Sequence, residues 1–268
     1  MKIILSRKGF DSANGGIVSP IFEDGTMVSF PIPSDDDDTY DSLYYNGIQY
    51  SQILRDLRYK GGDHCHLDPD LDLGRRRERI DGWFPAFGQR NAAAAYLKNI
   101  GVAQGDIFLF FGNFHFVEYQ NGTYRYLRDC SDFYRGKDLQ VIWGYLQVGE
   151  IISVPEEQRK VWWHPHSSNG RADNSTNVIF KAAERLSLDK SKPGAGALRF
   201  DKKRVLTLKG ATKATWARNE VYDETHIYGK RSNCAKNPDR GLYYAGIWQE
   251  LGLKESDACT EWARNILL

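Results

Sequence analysis

The sequence predicts an α+β protein in which helices flank a mixed, partly barrel-like central sheet, within a single compact domain spanning residues 1–268. Strongly apolar segments at residues 107–111 and 139–152 provide the candidate strands of the sheet. Residues 51–59 place apolar side chains on one helical face, and an alanine-rich segment that ends near Ile100 is also helical in pattern. The sequence has no internal repeat and no linker longer than a loop, which favours one domain.

The N-terminal segment begins with an expected strand at residues 2–5, followed by a loop rich in glycine and hydroxyl groups. The adjacent cations Arg7 and Lys8 suit this loop to hold a phosphate. Its glycine spacing matches neither a Walker loop nor a dinucleotide fingerprint, so no nucleotide cofactor is indicated. Asp11 in the same loop is either a turn residue or a carboxylate that faces a site.

A hairpin is expected next, with strands at residues 19–21 and 29–33 on either side of Asp24-Gly25. Prolines near both strands favour positions at the edge of the sheet. Residues 34–40 form an acidic, solvated loop that precedes the first helix.

The middle of the chain carries the strongest strand signals. A tight turn at residues 101–106 leads into the apolar strand 107–111, and a further strand is expected at 124–127. The loose alternation of 139–152 favours a central strand, buried on both faces, that bends at Gly144 and Gly149. This arrangement resembles, over about fifty residues, the small barrels of the PUA and EVE type, many of which read modified bases.

The last third of the chain has weaker signals. Strands are expected at residues 177–180 and 205–208, and residues 243–267 show apolar positions at helical spacing.

Composition bounds the function only loosely. The chain is 41% hydrophobic and 26% charged, as in ordinary globular proteins, and its net charge is +1. The charges are segregated along the sequence, so this balance neither indicates nor excludes a nucleic-acid partner. Seven Trp and fifteen Tyr suit either a pocket that stacks flat or sugar-like ligands or a plain aromatic core.

The cysteines and the apolar segments bear on location. The four cysteines contain no CxxC pair, which argues against a structural zinc ribbon. The N-terminus lacks a signal-peptide hydrophobic region, and no run approaches membrane-spanning length. We therefore expect a cytoplasmic protein with no membrane partner.

Residues 61–72 hold two imidazoles, a thiol and four carboxylates directly after a glycine pair. Pro69 excludes a helix interior and favours an extended conformation at Asp68. Alternate side chains of an extended segment share a face. The side chains expected on one face are His64, His66, Asp68 and Asp70. The segment is either a polar turn whose carboxylates cap the next element or part of a reactive site.

A second cluster is Trp162-Trp163-His164-Pro165-His166, in which Pro165 holds the two imidazoles in a nearly fixed relation. A single histidine of this kind is usually a hydrogen-bonded structural residue. Two here together with two at His64 and His66 favour a site.

Six blocks of the sequence resemble the third family of nucleotide-modification-associated domains, and the resemblance covers most of the chain. The blocks are residues 6–11 with 15–16 and 19–21, then 66–71, 87–89, 105–112, 144–149 and 164–166. That family is associated with systems that make, or act against, hypermodified bases in phage and bacterial DNA. The resemblance implies recognition of a bulky modified base and points to its excision. His64 is not part of the family pattern, which weakens any metal site that depends on it.

The first functional hypothesis is a DNA glycosylase that excises a modified, sugar-bearing cytosine from double-stranded DNA, in defence against phages. The base must be flipped out of the duplex into a pocket, and cleavage of its N-glycosidic bond builds positive charge on the deoxyribose. A carboxylate can stabilise that charge or activate water, and an imidazole can protonate the leaving base or hold the carboxylate. The candidate catalytic residues are Asp68, Asp70, Asp11, His66, His164 and His166.

Substrate contacts are expected from aromatic, amide and cationic side chains. Tryptophans stack on bases or sugars, cations hold phosphates, and a glutamine can read a base edge. The candidates are Trp143, Trp162, Trp163, Arg7, Lys8, Arg75, Arg76, Gln89 and Gln147. Arg75 to Arg79 is otherwise a solvated helix face, and Gln89 otherwise a helix cap.

Two alternatives remain open. The spacing His64-x-His66-x-Asp68 matches the start of the metallo-β-lactamase signature HxHxDH, with Pro69 in place of the last histidine, which indicates a metal-dependent nuclease or hydrolase. The second alternative is a non-catalytic reader of modified DNA. The glycosylase hypothesis itself requires no cofactor and no metal.

Overall fold

The computed structural model describes residues 1–72, 74, 79–223, 225–229, 241–244 and 248–268. Within them it shows mixed α and β content, a large mixed sheet and six α-helices, which confirms the expected fold class and a single compact domain. The strands are β1 (Ile3–Arg7), β2 (Ser19–Ile21), β3 (Ile32–Pro33), β4 (Tyr44–Tyr45), β5 (Ile48–Gln49), β6 (Cys65–His66), β7 (Ala86–Gln89), β8 (Ile107–Gln120), β9 (Thr123–Tyr126), β10 (Leu139–Ile152), β11 (Val178–Ala182), β12 (Arg185–Leu186), β13 (Asp189–Pro193), β14 (Ala195–Ala197) and β15 (Glu250–Leu253). The helices are α1 (Tyr50–Asp56), α2 (Asn91–Asn99), α3 (Phe133–Gly136), α4 (Pro155–Lys160), α5 (Asn169–Ala172) and α6 (Asp257–Leu267).

The central sheet contains nine strands, with the main order β15-β1-β8-β10-β11-β7. Strands β1 and β2 run parallel to β8, whereas β15, β10, β9, β11, β14 and β7 pair antiparallel with their neighbours. The sheet is open rather than closed into a barrel in the described part of the chain. Its two end strands are linked by side chains, since Gln89 Nε2 of β7 donates to Glu250 Oε1 of β15 at 2.7 Å.

Strand β8 forms the centre of the core because both of its faces are apolar. Ile107, Leu109 and Phe111 pack with α6 on one side, and Phe108 and Phe110 pack with α2 on the other. This follows from the alternation of side chains along a strand combined with an unbroken apolar run. The expectation of a two-sided buried strand is therefore fulfilled by β8 as well as by β10.

The two glycines of β10 mark its bends, as expected. The pairing of β10 with β8 shifts register between Ile142 and Gly144, and its pairing with β11 shifts between Val148 and Glu150. Such bulges bend a strand and increase its twist, so one long strand can serve both partners.

Several expected elements have different bounds. The helix expected at 51–59 spans Tyr50–Asp56, and only Ile32–Pro33 of the segment 29–33 is a strand. Residues 205–208 form only isolated bridges. The helical spacing expected over 243–267 was wrong at its start, because β15 occupies Glu250–Leu253 and pairs with β1, and the helix α6 begins at Asp257.

Two features of the described chain bear on the expectations from composition. Cys65, Cys130 and Cys259 are free thiols. None of the described helices combines the length and apolar character needed to cross a membrane.

Candidate functional site

A cavity of about 680 Å³ lies where the N-terminal loop, the end of β7 and the His-Pro-His turn meet. Several residues singled out from the sequence line it, although they are far apart along the chain. Those residues are Arg7, Lys8, Asp11, His66, Asp68, Gln89 and His166.

Local pairing brings the segment after β6 against β7. His66 pairs with Ile32 of β3, and Asp70 pairs with Ala86 at the start of β7 through two backbone hydrogen bonds of 3.0 and 3.1 Å. Between these anchors, the Asp68 carboxylate faces the backbone of Gly88. The absence of a side chain at Gly88 leaves room for the His166 ring, because a Cβ atom there would overlap it.

The Asp68 carboxylate lies at the centre of the site and is buried. Its Oδ1 accepts a hydrogen bond from the Gly88 N–H at 2.7 Å and lies 3.3 Å from His164 Nε2. Its Oδ2 lies 3.9 Å from both His66 Nε2 and His166 Nε2. Burial alone raises the pKa of a carboxyl group, but the imidazoles of His164 and His166 together with the Lys8 ammonium outweigh it and hold the pKa of Asp68 well below its usual range. Asp68 is therefore ionised at neutral pH.

His66 is oriented by Asp36. Its Nδ1 lies 2.7 Å from Asp36 Oδ2, and the Arg171 guanidinium binds the same carboxylate through both terminal nitrogens, one of them at 3.1 Å. Although burial opposes ionisation, the hydrogen bonds from His66 and Arg171 hold the pKa of Asp36 far below its usual range. An ionised carboxylate only accepts hydrogen bonds, so His66 Nδ1 carries a proton, and the tautomer of the ring with one proton has its lone pair at Nε2.

His166 is oriented by Asn177. The amide nitrogen of Asn177 donates to Gln158 Oε1 at 2.8 Å and to the His166 carbonyl at 2.9 Å. The amide oxygen of Asn177 therefore faces His166 Nδ1, at 2.7 Å, and accepts a hydrogen bond from its N–H group. Burial lowers the pKa of His166 to about 3, so the ring is neutral at pH 7 and presents a lone pair at Nε2.

His164 has the opposite tautomer. Its Nδ1 accepts a hydrogen bond from the backbone N–H of His166 at 3.2 Å, so the proton of the neutral ring is on Nε2, beside Asp68 Oδ1. His164 thus positions and stabilises the Asp68 carboxylate, whereas His66 and His166 add acceptor atoms around its other oxygen.

Three acceptor atoms consequently converge at one point. Asp68 Oδ2, His66 Nε2 and His166 Nε2 belong to the one group of potential metal-ligating residues found among the described residues, with all ligand atoms within 4.8 Å of one another. Two imidazole nitrogens and one carboxylate oxygen form a donor set found in catalytic metal centres, and they also suit a water molecule that acts as a nucleophile.

The other side of the cavity is a buried network around Glu250. Glu250 Oε1 accepts hydrogen bonds from Ser6 Oγ at 2.9 Å and Gln89 Nε2 at 2.7 Å, and the Lys8 ammonium lies 3.5 Å away. Lys8 also lies 4.4 Å above the ring of Phe87. Burial raises the pKa of Glu250. Gln89 and Lys8 are therefore fixed in the wall of the cavity by one shared carboxylate.

A second cavity, of about 1050 Å³, adjoins the first and shares Ser34, Arg90 and Arg171 with it. Trp162, whose relative exposure is 67%, and the partly buried Trp163 line it. The acidic loop at residues 35–38 also contributes to its lining. This second cavity offers aromatic surface beside the acceptor cluster.

The comparisons with known proteins bear on this arrangement. The model of the family described as nucleotide modification associated domain 3 matches residues 2–253 of the chain. The chain belongs to this family. No curated protein and no solved structure gives a significant match. Membership links the protein to nucleotide modification and to modified nucleic acid, and it confirms the family inferred from the sequence blocks.

The family blocks at residues 66–71, 87–89 and 164–166 are the segments that build the acceptor cluster in this member of the family. They supply His66 and Asp68, the Gly88 N–H, and the His164 and His166 rings. His64, which lies outside the sequence blocks on which the resemblance was based, is exposed, and its Nδ1 contacts the Asp36 carbonyl at 2.7 Å. The alternation that placed His64 beside His66 and Asp68 therefore does not describe this site.

Asp70 is held in a structural arrangement. Its carboxylate binds the Arg79 guanidinium, with one contact of 2.9 Å, and accepts a hydrogen bond from Trp83 Nε1 at 3.0 Å. It lines the second cavity, together with His164, whereas Asp68 lines the first. Asp68 and Asp70 thus face adjoining cavities rather than one.

Asp11 is at the rim of the first cavity. Its Oδ1 accepts hydrogen bonds from the backbone N–H groups of Ala13 at 2.8 Å and Asn14 at 2.7 Å, and its Oδ2 lies 3.4 Å from the Arg7 guanidinium. This is the geometry of a turn residue, and it holds Arg7 beside the cavity.

The remaining candidates lie elsewhere. Trp143 is 1% exposed and packs against Phe110 in the core. Gln147 is buried and joins Gly105 to Ser187. Arg75 and Arg76 lie outside the described residues, so their contact with phosphates stays a prediction.

Asp36, Arg171, Asn177 and Gly88 shape the site but were not singled out from the sequence. Asp36 lay in an acidic run of ordinary appearance, and Asn177 at the start of an expected strand. The signal that was available for Gly88 was its place between an aromatic residue and Gln89 in a family block, which did not reveal that an imidazole packs against it.

Proposed function

We propose that this protein is a DNA glycosylase that recognises a hypermodified base, such as a glucosylated cytosine, in double-stranded DNA and hydrolyses its N-glycosidic bond. The observation that carries the proposal is the ionised, buried Asp68 carboxylate, which faces the Nε2 atoms of two imidazoles at a cavity large enough for a nucleobase. Membership of a nucleotide-modification family supports modified nucleic acid as the substrate.

Access to the site requires that the base leave the duplex, because atoms of a paired base and its sugar are shielded by stacking. The cavity of about 680 Å³ is within the range of small-molecule sites. Arg7, Lys8, Arg90 and Arg171 line it and supply positive charge for the flanking phosphates. Trp162 in the adjoining cavity offers an exposed face on which a base or its substituent can stack.

The chemistry follows from the acceptor atoms. A water molecule at the cluster donates its hydrogens to Asp68 and to one imidazole, which directs an oxygen lone pair at C1′ of the deoxyribose. In the reaction the water oxygen forms a bond to C1′ as the water gives one proton to the imidazole beside Asp68. The C1′–N bond breaks with its electron pair going to the base, and the protonated imidazole gives that proton to the base. The products are the free modified base and an abasic site.

The test uses the full chain with DNA from a phage whose cytosines are hypermodified, and unmodified DNA as the control. Mass spectrometry of the supernatant is expected to detect the free modified base from the first DNA and no free base from the second. A matched reaction with Asp68→Asn is expected to release at least about 100-fold less, the usual contribution of a general base.

Two results would overturn the proposal. Strand cleavage without free base would indicate a nuclease, and selective binding of modified DNA without any product would indicate a non-catalytic reader. Both products are measured in the same reaction, by gel electrophoresis for strand breaks and by mobility shift for binding.

A further inference from the structure

The hydrogen bonds around the acceptor cluster fix the tautomers of its two imidazoles so that three lone pairs converge. The hydrogen bond to Asp36 commits the proton of His66 to Nδ1, and the hydrogen bond to Asn177 does the same for His166. Asp68 Oδ2 adds a negatively charged oxygen 3.9 Å from each Nε2 atom. The other oxygen of Asp68, Oδ1, accepts a hydrogen bond from the Gly88 N–H and lies 3.3 Å from His164 Nε2.

A single water satisfies this arrangement incompletely. Water has two hydrogens and can donate to two of the three acceptors, so the third faces the oxygen of the water, which is also an acceptor. A cation interacts favourably with all three at once. The buried surroundings strengthen that attraction, because the local dielectric is lower than that of water.

The distances suit an ion of transition-metal size. Ligands arranged tetrahedrally about 2.1 Å from an ion lie about 3.4 Å from one another. The two oxygen–nitrogen separations of 3.9 Å exceed this by about half an ångström. All ligand atoms lie within 4.8 Å of one another, so rotation of the two imidazoles and the carboxylate toward a common centre completes the set.

We propose that His66, Asp68 and His166 bind a divalent transition-metal ion such as zinc. Three protein ligands leave at least one coordination position open toward the cavity, which is the arrangement of a catalytic rather than a structural ion. Metal-binding imidazoles usually donate their other N–H group to a carboxylate or carbonyl oxygen, which fixes the ring. The contacts Asp36–His66 and Asn177–His166 are hydrogen bonds of this kind. This site differs from the one considered from the sequence, which relied on His64.

The role of the ion rests on the proposed function, but its binding does not. A bound divalent ion lowers the pKa of a coordinated water to near neutrality, and so supplies a hydroxide nucleophile at pH 7. Asp68 then acts as a ligand, and the water that attacks C1′ is the one held at the open position.

The test is a titration of the full chain, stripped with a chelator and dialysed, with Co²⁺ as a coloured probe. We expect one equivalent to bind with visible absorption of a site that contains nitrogen ligands, and Zn²⁺ to displace it. His66→Ala and Asp68→Asn are expected to weaken binding more than about 100-fold, and Asp36→Asn about 10- to 100-fold. His64→Ala, two residues from His66 but exposed, is the control and should bind as the unaltered protein does.

Circular dichroism establishes that each variant is folded. If a ligand variant unfolds, Asp36→Asn still tests the site, because it leaves all three ligands in place and changes only the hydrogen bond that orients His66. Absence of stoichiometric Co²⁺ and Zn²⁺ binding, or binding that His66→Ala and Asp36→Asn leave unchanged, would overturn the metal site.

The two proposals fail separately. If stripped protein releases base at the full rate without added metal, the role of the ion is refuted and the glycosylase stands. If Co²⁺ binds at one equivalent but no base is released under any metal condition, the glycosylase is refuted and the metal site stands.

Discussion

Replacement of Asp68 by asparagine removes one negative charge from the acceptor cluster with almost no change in side-chain shape. The amide oxygen can still accept the hydrogen bond from Gly88 that Oδ1 accepts at 2.7 Å. The amide nitrogen then occupies the place of Oδ2 and faces His66 Nε2 and His166 Nε2, both of which are acceptors. The variant is therefore expected to fold with an intact cavity.

The expected magnitudes differ between stability and activity. A hydrogen bond to a charged group contributes about 1.5–3 kcal/mol and one to a neutral group about 0.5–1.5 kcal/mol, so the free energy of unfolding should fall by about 1 kcal/mol. For a chain of this size that corresponds to a melting temperature lower by about 2–4 °C. Base release should fall by about 10²- to 10⁴-fold, because the acceptor that activates water is gone.

The assay combines base release by mass spectrometry, modified-DNA binding by mobility shift and thermal melting. Asp70→Asn is the matched comparison, since it makes the same chemical change two residues away, where the carboxylate pairs with Arg79. We expect Asp70→Asn to melt earlier and to lose activity only in proportion to unfolding. Full activity of Asp68→Asn, or a loss of activity explained by its melting, would refute the assignment of Asp68 as the central acceptor.

Two further predictions test the packing and the electrostatics. Gly88→Ala should displace the His166 ring that a Cβ atom would overlap, lower the free energy of unfolding by about 1–3 kcal/mol and abolish base release. The control is Gly62→Ala, which has open space around its Cβ and should change neither property. Base release by Gly88→Ala at the rate of the unaltered protein would contradict the packing. Asp138 is distant in sequence from the cluster, and the hydrogen bond from His115 at 2.7 Å lowers its pKa. The ionised Asp138 therefore stabilises the fold above pH 3.8, the ordinary pKa of the group. This stabilisation is lost as the pH falls through the lowered pKa. Urea unfolding of Asp138→Asn should therefore show a deficit of about 1 kcal/mol at pH 7 that shrinks below pH 3.8, and a deficit independent of pH would contradict this origin.

Much of the fold could be predicted from local patterns. The apolar run of β8 and the loosely alternating β10 identified the central strands, and the glycines of β10 identified its bends. Strand β15 could not be predicted, because four residues beside a helix carry no distinctive period and become a strand only through pairing with β1. The openness of the sheet in the described residues could not be predicted for a similar reason, since closure depends on how the end strands meet.

The candidate site was predicted as two clusters of residue types, one at His66 and Asp68 and one at His164 and His166. The sequence could not show which residues of the two clusters face each other. Asp70 has the same side chain as Asp68, but it pairs with Arg79 and faces the adjoining cavity. Trp143 resembles the other tryptophans in the sequence, but the sheet buries it in the core.

The sequence by itself identified the family, through the resemblance of its six blocks. It also determined the central strands and the residue types that can carry chemistry, because composition and spacing report on local backbone preference and burial. Only the tertiary structure decided that His66, Asp68 and His166 share one point and that each imidazole presents a lone pair there. Those lone-pair directions depend on the hydrogen bonds that His66 and His166 donate to Asp36 and Asn177. Such bonds join distant parts of the chain, and their geometry exists only once the sheet and its loops have folded.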